Sequence, residues 1–167
     1  MGKRNYLIEG VSCAGKTTLC DELLKRGYQA IHGDRVLAYQ GDPKTGLPTQ
    51  TSDHQHHIWN IQKVKELALN TKEPITFFCG GSRNFNQFID LFDEVFVLDL
   101  DQETLIQRLN QRPEGEWGAK EEEKQLVLHL HQTKEDLPQN AIIIDATQSI
   151  EDVANSILNY INGIKIE

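Results

Sequence analysis

The chain of 167 residues has few basic residues and no long apolar segment. Its 17 Lys and Arg are outnumbered by 25 Asp and Glu, giving a formal net charge of −8. A nucleic-acid polymer needs a basic surface that neutralises its phosphates, so we do not expect one as the main partner. No apolar run approaches the roughly 20 residues of a membrane span, and no N-terminal segment resembles a signal peptide. We therefore expect a soluble, cytoplasmic protein without a membrane partner.

Cysteine is also scarce, and neither the cysteines nor the histidines are spaced as metal ligands. The 3 cysteines, Cys13, Cys20 and Cys79, are odd in number, so we expect reduced thiols that pack as small residues. The His54-x-His56-His57 segment lacks the i, i+4 spacing of a helical zinc pair. His129 and His131 lie two apart on a predicted helix and face different directions. These patterns favour structural or solvent-facing roles.

A phosphate-binding loop is the most specific motif present. Residues 10–17, GVSCAGKT, fit the pattern G-x-x-x-x-G-K-[ST]. The apolar run at 6–8 predicts a strand before the loop, and Leu19, Leu23 and Leu24 predict a helix from about Lys16 to Gly27. Glycines let the backbone N–H groups turn inward at the positive end of the helix dipole. The predicted nucleotide-binding residues are Gly10, Ser12, Cys13, Ala14, Gly15, Lys16, Thr17 and Thr18, with Lys16 on the β- and γ-phosphates and Thr17 on Mg²⁺.

Strands and helices alternate along the rest of the chain, which predicts a parallel sheet covered by helices on both faces. The predicted strands lie near 6–8, 28–32, 74–79, 94–98 and 141–144. The later helices are predicted near 58–70, 85–92, 102–111, 119–135 and 153–161, with loops at 40–53 and 112–118. Five strands with their crossovers account for the whole chain, so we expect a single α/β domain over 1–167. With the phosphate loop, this predicts the three-layer P-loop NTPase fold.

In such a sheet, ligands bind outside the carboxyl ends of the strands. This rule selects the polar residues that follow each predicted strand: Asp34 and Arg35; Gly80, Gly81, Ser82 and Arg83; Asp99 and Asp101; and Asp145-Ala146-Thr147. An Asp after a strand is also a common helix cap, which is the favoured interpretation of Asp99 and Asp101. Trp59 is expected in the core. Trp117 is expected either to stack on a base or to anchor a loop.

Four patches together resemble the small P-loop kinases of metabolites and nucleotides, a group that includes adenylate kinase, shikimate kinase and gluconate kinase. Besides the loop, Asp34 is similar to the acid that shikimate kinase-like enzymes place near the acceptor hydroxyl. Residues 79–83 occupy the place of an acceptor patch, although adenylate kinase has an acid where Cys79 stands. Arg108 and Arg112, followed by residues 113–118, resemble the arginines of a lid at about 112–120. The acceptor-side segment then covers about 35–70.

The resemblance implies a phosphotransferase that uses ATP and Mg²⁺ and acts on a small-molecule acceptor, as a monomer or homodimer. Lys16, Arg108 and Arg112 would neutralise charge on the transferred phosphoryl group, with Arg108 also part of the ATP site. Thr17 and Asp34 would hold the metal.

For a hydroxyl acceptor, Asp34 would instead take the proton. For a phosphate acceptor, Arg35 and Arg83 would act as clamps, with Gly80 and Gly81 beside the substrate. The residues supply both schemes, so a nucleoside, a nucleotide and a shikimate-like metabolite all stay open as acceptors.

Other functions of a nucleotide-binding chain fit less well. Cys79 in place of an acid, and an acceptor segment that matches no known code, also allow a regulatory or ATPase module without phosphoryl transfer. A GTPase is disfavoured because Leu98-Asp99-Leu100-Asp101 stands where N-K-x-D is expected. A 5′-hydroxyl polynucleotide kinase would suit Asp34, but the net charge of −8 argues against it.

Overall fold

A computed structural model describes residues 2–163, and within that range the chain forms seven strands. They are β1 (Arg4–Glu9), β2 (Gln29–His32), β3 (Ala38–Gln40), β4 (His57–Trp59), β5 (Ile75–Cys79), β6 (Glu94–Asp99) and β7 (Ile142–Asp145). Five of them build one parallel sheet in the order β2-β5-β1-β6-β7. The predicted five-stranded parallel sheet is therefore confirmed.

Helices cover both faces of this sheet. They are α1 (Lys16–Lys25), α2 (Gly33–Val36), α3 (Ile61–Leu69), α4 (Gln102–Asn110), α5 (Glu121–Thr133) and α6 (Ile150–Ile161). Side chains alternate along β1, so Tyr6 and Ile8 pack with α1, α4, α5 and α6 while Leu7 packs on the opposite face with α3. Burial on two faces explains the consecutive apolar residues of the central strand β1, Tyr6-Leu7-Ile8. None of the helices within 2–163 is long and apolar enough to cross a membrane.

Three strands end side by side, and this alignment creates the edge where loops meet. Ile8 of β1 and His32 of β2 both pair with Cys79 of β5. The segments that begin at Gly10, Gly33 and Gly80 therefore leave the sheet together. Parallel α/β sheets bind ligands at such an edge.

The helix predicted over 58–70 starts too early, because residues 57–59 form β4 and pair antiparallel with β3. The apolar spacing Ile58, Ile61, Val64 matches a helical period but crosses a boundary at Asn60. The Asn60 side chain accepts a hydrogen bond from the Lys63 N–H at 3.1 Å and so caps α3. Trp59 is fully buried, as expected, and lies against Gly33, where a Cβ would be only 2.2 Å from its ring.

The helix predicted over 85–92 is also wrong. Two short 3₁₀ turns, Phe85–Gln87 and Ile89–Leu91, stand there, separated at Phe88 by a backbone φ of −137°. Phe88 stacks on Trp59 with centroids 5.6 Å apart and meets Phe92 edge to face. Tertiary packing of these aromatic rings has overridden the local helical pattern.

The cap at Asn60 gives a direct test of where α3 begins. Replacing Asn60 by Ala should lower the free energy of unfolding by about 1 kcal/mol, because the Lys63 N–H loses its acceptor. Asn60→Ser keeps a capping oxygen and should lose much less. Urea unfolding of both variants checks this, and an equal loss in the two would contradict the role of the cap.

Candidate active site

A cavity of about 920 Å³ opens at the edge where β1, β2 and β5 end. Its walls come from the phosphate loop, α2, the 40–57 segment, the end of α4 and the residues after it, and Asp136. Nearly all the predicted site residues line it: Gly10, Ser12, Cys13, Ala14, Gly15, Lys16, Thr17, Thr18, Asp34, Arg35, Gly81, Arg83, Arg108 and Arg112. Gly80 does not line it; its N–H donates to the Ile8 carbonyl at 3.0 Å, and a Cβ there would lie 2.9 Å from the Trp59 ring.

The phosphate loop presents donors to this cavity. Gly10 has a φ of +154°, and a Cβ there would lie 2.9 Å from the Leu98 carbonyl oxygen, so only glycine fits. Among the hydrogen bonds of residues 2–163, none is donated by the backbone N–H groups of Lys16, Thr17 or Thr18. The Lys16 ammonium donates to the Gly10 carbonyl and, at 3.3 Å, to the Val11 carbonyl. Burial lowers the pKa of Lys16, while the nearby Glu9 and Asp34 carboxyls oppose that shift.

Both arginines that were predicted for the lid contact the phosphate loop. Arg108 donates to the Cys13 and Ala14 carbonyls at 3.2 Å and to the Ala146 carbonyl at 2.8 Å. Arg112 donates from Nε to the Cys13 Sγ at 2.9 Å and from Nη2 to the Ser12 Oγ at 3.1 Å. The two guanidinium groups therefore lie beside the loop N–H groups that would bind a phosphate.

Asp34 lies in the first turn of α2, at the end of β2. Its Oδ1 is 2.9 Å from the His57 Nε2, and the side chain is half exposed in the cavity wall. Burial acts to raise the pKa of Asp34, but the His57 hydrogen bond and the Lys16 charge outweigh it, so the pKa lies below its ordinary value. Asp34 is thus a carboxylate at neutral pH. No pattern in the sequence pairs Asp34 with His57.

Arg83 belongs to a network that joins the acceptor segment to distant parts of the chain. Its Nη1 forms an ion pair with Asp136 and lies 2.5 Å from the His54 Nε2, while His54 also contacts Asp136. The His54 ring stacks on Trp117 with centroids 5.8 Å apart. In this structure Trp117 therefore anchors the segment after α4 to the acceptor side.

Glu9 is a buried acid that the sequence analysis missed. It ends β1 with 1% exposure; its Oε1 accepts from the Gly10 N–H at 3.2 Å, and its Oε2 has no partner within residues 2–163. Gly81 permits this position, because a Cβ there would lie 2.7 Å from Oε1. Burial raises the pKa of Glu9 to about 7, against the lowering effect of Lys16 and Arg83. The available signal was an acid directly after the apolar run Tyr6-Leu7-Ile8.

Because Glu9 holds its proton more tightly when folded, its ionisation opposes folding. The folded form binds more protons than the unfolded form between the ordinary value of 4.5 and about 7. The Glu9 contribution to stability is therefore full below this window and is lost as pH rises through it. Glu9→Gln removes the titration, so stability relative to wild type should rise by up to about 3 kcal/mol between pH 5 and pH 8.

Urea unfolding at the two pH values measures this difference. Glu94→Gln is the matched control, since Glu94 is an exposed acid at the start of β6. A Glu9→Gln difference that does not change with pH would contradict the protonated state of Glu9 in the folded protein.

Comparisons with known proteins bear on the fold and the family of the chain. A family model described as an AAA domain matches residues 7–129. A shikimate kinase from Acinetobacter baumannii in complex with shikimate is similar, with a TM-score of 0.63 and 19% identity over 99% of this chain and 96% of that one. A sugar kinase from Janibacter sp. HTCC2649 gives a TM-score of 0.60 and 20% identity over 96% and 95%. No curated protein sequence matches.

A deoxyadenosine kinase from M. mycoides with bound dATP gives a TM-score of 0.50 and 18% identity, over 96% of this chain and 100% of that one. Identities this low establish the fold alone, and they confirm the resemblance to small P-loop kinases at that level. The family model, by contrast, spans more than half of the chain. The chain therefore belongs to the AAA domain family, and its fold is that of the small P-loop kinases.

Proposed function

We propose that the protein transfers the γ-phosphoryl group of ATP to a hydroxyl of a small-molecule acceptor. One observation carries the proposal: Lys16 with the first turn of α1 faces the same cavity as the Asp34 carboxylate. A phosphate held at the helix N-terminus and a hydroxyl held at Asp34 would share one cavity. The fold shared with shikimate and sugar kinases supports this proposal.

The loop suits the phosphates of ATP. The N–H groups of Lys16, Thr17 and Thr18 lack protein acceptors in the described part of the chain, and a phosphate would supply them. Arg108 already lies on the loop backbone, next to where those oxygens would be. Lys16 would exchange its two carbonyl contacts for phosphate oxygens.

The residues also suit Mg²⁺, provided that phosphates complete its coordination. Residues 2–163 hold no cluster of three or more His, Cys, Asp or Glu side chains arranged for a metal. Mg²⁺ commonly uses one or two carboxylates together with substrate phosphates and water. Thr17 would hold the ion on the protein side, with Asp34 as its carboxylate ligand if Asp34 is not the proton acceptor. When bound, it would neutralise charge on the β- and γ-phosphate oxygens.

The transfer itself needs positioning and charge neutralisation more than covalent help. The acceptor oxygen forms a bond to the γ-phosphorus while the bond to the β–γ bridging oxygen breaks, and ADP leaves. Asp34 takes the hydroxyl proton. Lys16, Arg108 and Arg112 neutralise the phosphoryl oxygens during this exchange.

Coupled measurement of ADP release tests the proposal. The full chain is assayed with ATP and Mg²⁺ across nucleosides, nucleoside monophosphates, shikimate and sugars, with acceptor-free and EDTA-treated controls. Release that depends on one acceptor supports the proposal. ATP binding without stimulation by any acceptor would instead favour a nucleotide-binding or ATPase module.

A further inference from the structure

The acceptor end of the cavity has an excess of carboxyl groups. We define this end by the residues on the Asp34 side of the phosphate loop. Its charged side chains are the carboxylates of Asp34, Asp53 and Asp136 and the guanidinium groups of Arg35 and Arg83. The Glu9 carboxyl also lies here, but burial raises its pKa to about 7, so it adds only part of a negative charge. An anionic substrate would enter a region where acids outnumber bases, with an unfavourable electrostatic potential.

Of these two arginines, Arg83 is the one that could bind a substrate in a site shielded from water, since its side chain is only 13% exposed. It is already engaged by the Asp136 carboxylate. The Glu9 carboxyl is also close to Arg83. A Cβ built on Gly81 would lie 2.7 Å from the Glu9 Oε1 and 3.3 Å from an Arg83 nitrogen. A carboxylate or phosphate that bound Arg83 would cost the Asp136 side chain, which is only 23% exposed, its ion pair and leave it the His54 contact alone, which is unfavourable.

Arg35 does not replace it. Its side chain is exposed, and water screens an exposed charge so that it contributes little to binding an anion. The remaining polar groups of the acceptor end suit hydroxyls instead. Gln40, Ser52 and His57 line the cavity, and their side chains can both donate and accept hydrogen bonds.

We infer that the acceptor is an uncharged polyhydroxyl compound, a sugar or a nucleoside, and that anionic acceptors such as nucleotides or sugar acids bind more weakly because Arg83 is already paired. This inference rests on the proposed function, which makes the bound compound the acceptor of the phosphoryl group. The selectivity for charge is a property of the binding site alone. Asp136 is then a specificity-determining residue that holds Arg83 away from substrate anions.

Matched pairs of compounds test the inference. Adenosine against AMP, uridine against UMP, and glucose against gluconate are titrated calorimetrically into the full chain saturated with Mg²⁺ and a non-hydrolysable ATP analogue. ADP release with the same pairs is measured in parallel. The uncharged member of at least one pair should bind at least about tenfold more tightly than its anionic partner.

Asp136→Asn should release Arg83 and shift this preference about tenfold toward the anionic member, whereas Glu135→Gln should not change it. Glu135 is the adjacent exposed acid and pairs with His129 outside the cavity at 3.5 Å. Tighter or equal binding of the anionic members by wild type would overturn the inference, as would binding of neither member of any pair. Selective binding of uncharged members without ADP release would support the acceptor class and contradict the transfer.

Discussion

Replacing Lys16 by Ala should abolish acceptor-dependent ADP release, with a loss in kcat/KM on the order of a thousandfold. Lys16 is the cation that lies within the phosphate loop, with its ammonium on the Gly10 and Val11 carbonyls. It would contact the γ-phosphate oxygens on which charge changes during transfer. A partly buried cation at that point is screened less by water than an exposed one. Steady-state kinetics and nucleotide titration together check the result.

Lys25→Ala is the matched control for this experiment. Lys25 is exposed in the last turn of α1, on the same helix that Lys16 begins. Its loss removes one positive charge without touching the cavity, so activity should stay within about twofold of wild type, the range of a surface substitution. Equal activity of the Lys16→Ala variant and the control would contradict both the loop assignment and the proposed kinase function.

The parallel sheet was predictable because its signals are local. Each strand contains a short apolar run, and each is followed by a polar or glycine-rich turn. The antiparallel pair β3 and β4 was missed because each strand has only three residues. In addition, the apolar residues of β4 continue the helical spacing of the helix that follows it. The turns over 85–92 depend on rings brought from elsewhere, in particular Trp59, which no local pattern contains.

The site was predictable only where one motif carries several residues. The phosphate loop places its donors by backbone geometry, so its sequence predicts its position. By contrast, Asp34 and His57 are 23 residues apart, and His54 and Asp136 are 82 apart. Their pairing depends on the tertiary fold, and an isolated His or Asp in a polar segment gives no sign of its partner.

Replacing Asp34 by Asn should lower kcat by about 10²- to 10⁴-fold, the range expected when a positioned proton acceptor is lost. Asn keeps the shape of the side chain but cannot accept the hydroxyl proton as a carboxylate does. The affinity for ATP without acceptor should change little, because the loop N–H groups and Lys16 bind the phosphates. Single-turnover kinetics with saturating acceptor measures the chemical step.

Asp21 offers a matched control, since its Oδ1 lies 2.9 Å from the His32 Nε2, the same separation as in the Asp34–His57 pair, but neither residue lines the cavity. Asp21→Asn should therefore retain wild-type kcat. Raising Mg²⁺ separates the two roles proposed for Asp34. Recovery of Asp34→Asn activity at high Mg²⁺ would assign Asp34 to the metal, because a weakened ion site can be filled by mass action. A loss in kcat that persists at every Mg²⁺ concentration would assign it to the proton, since no concentration of metal restores a missing base.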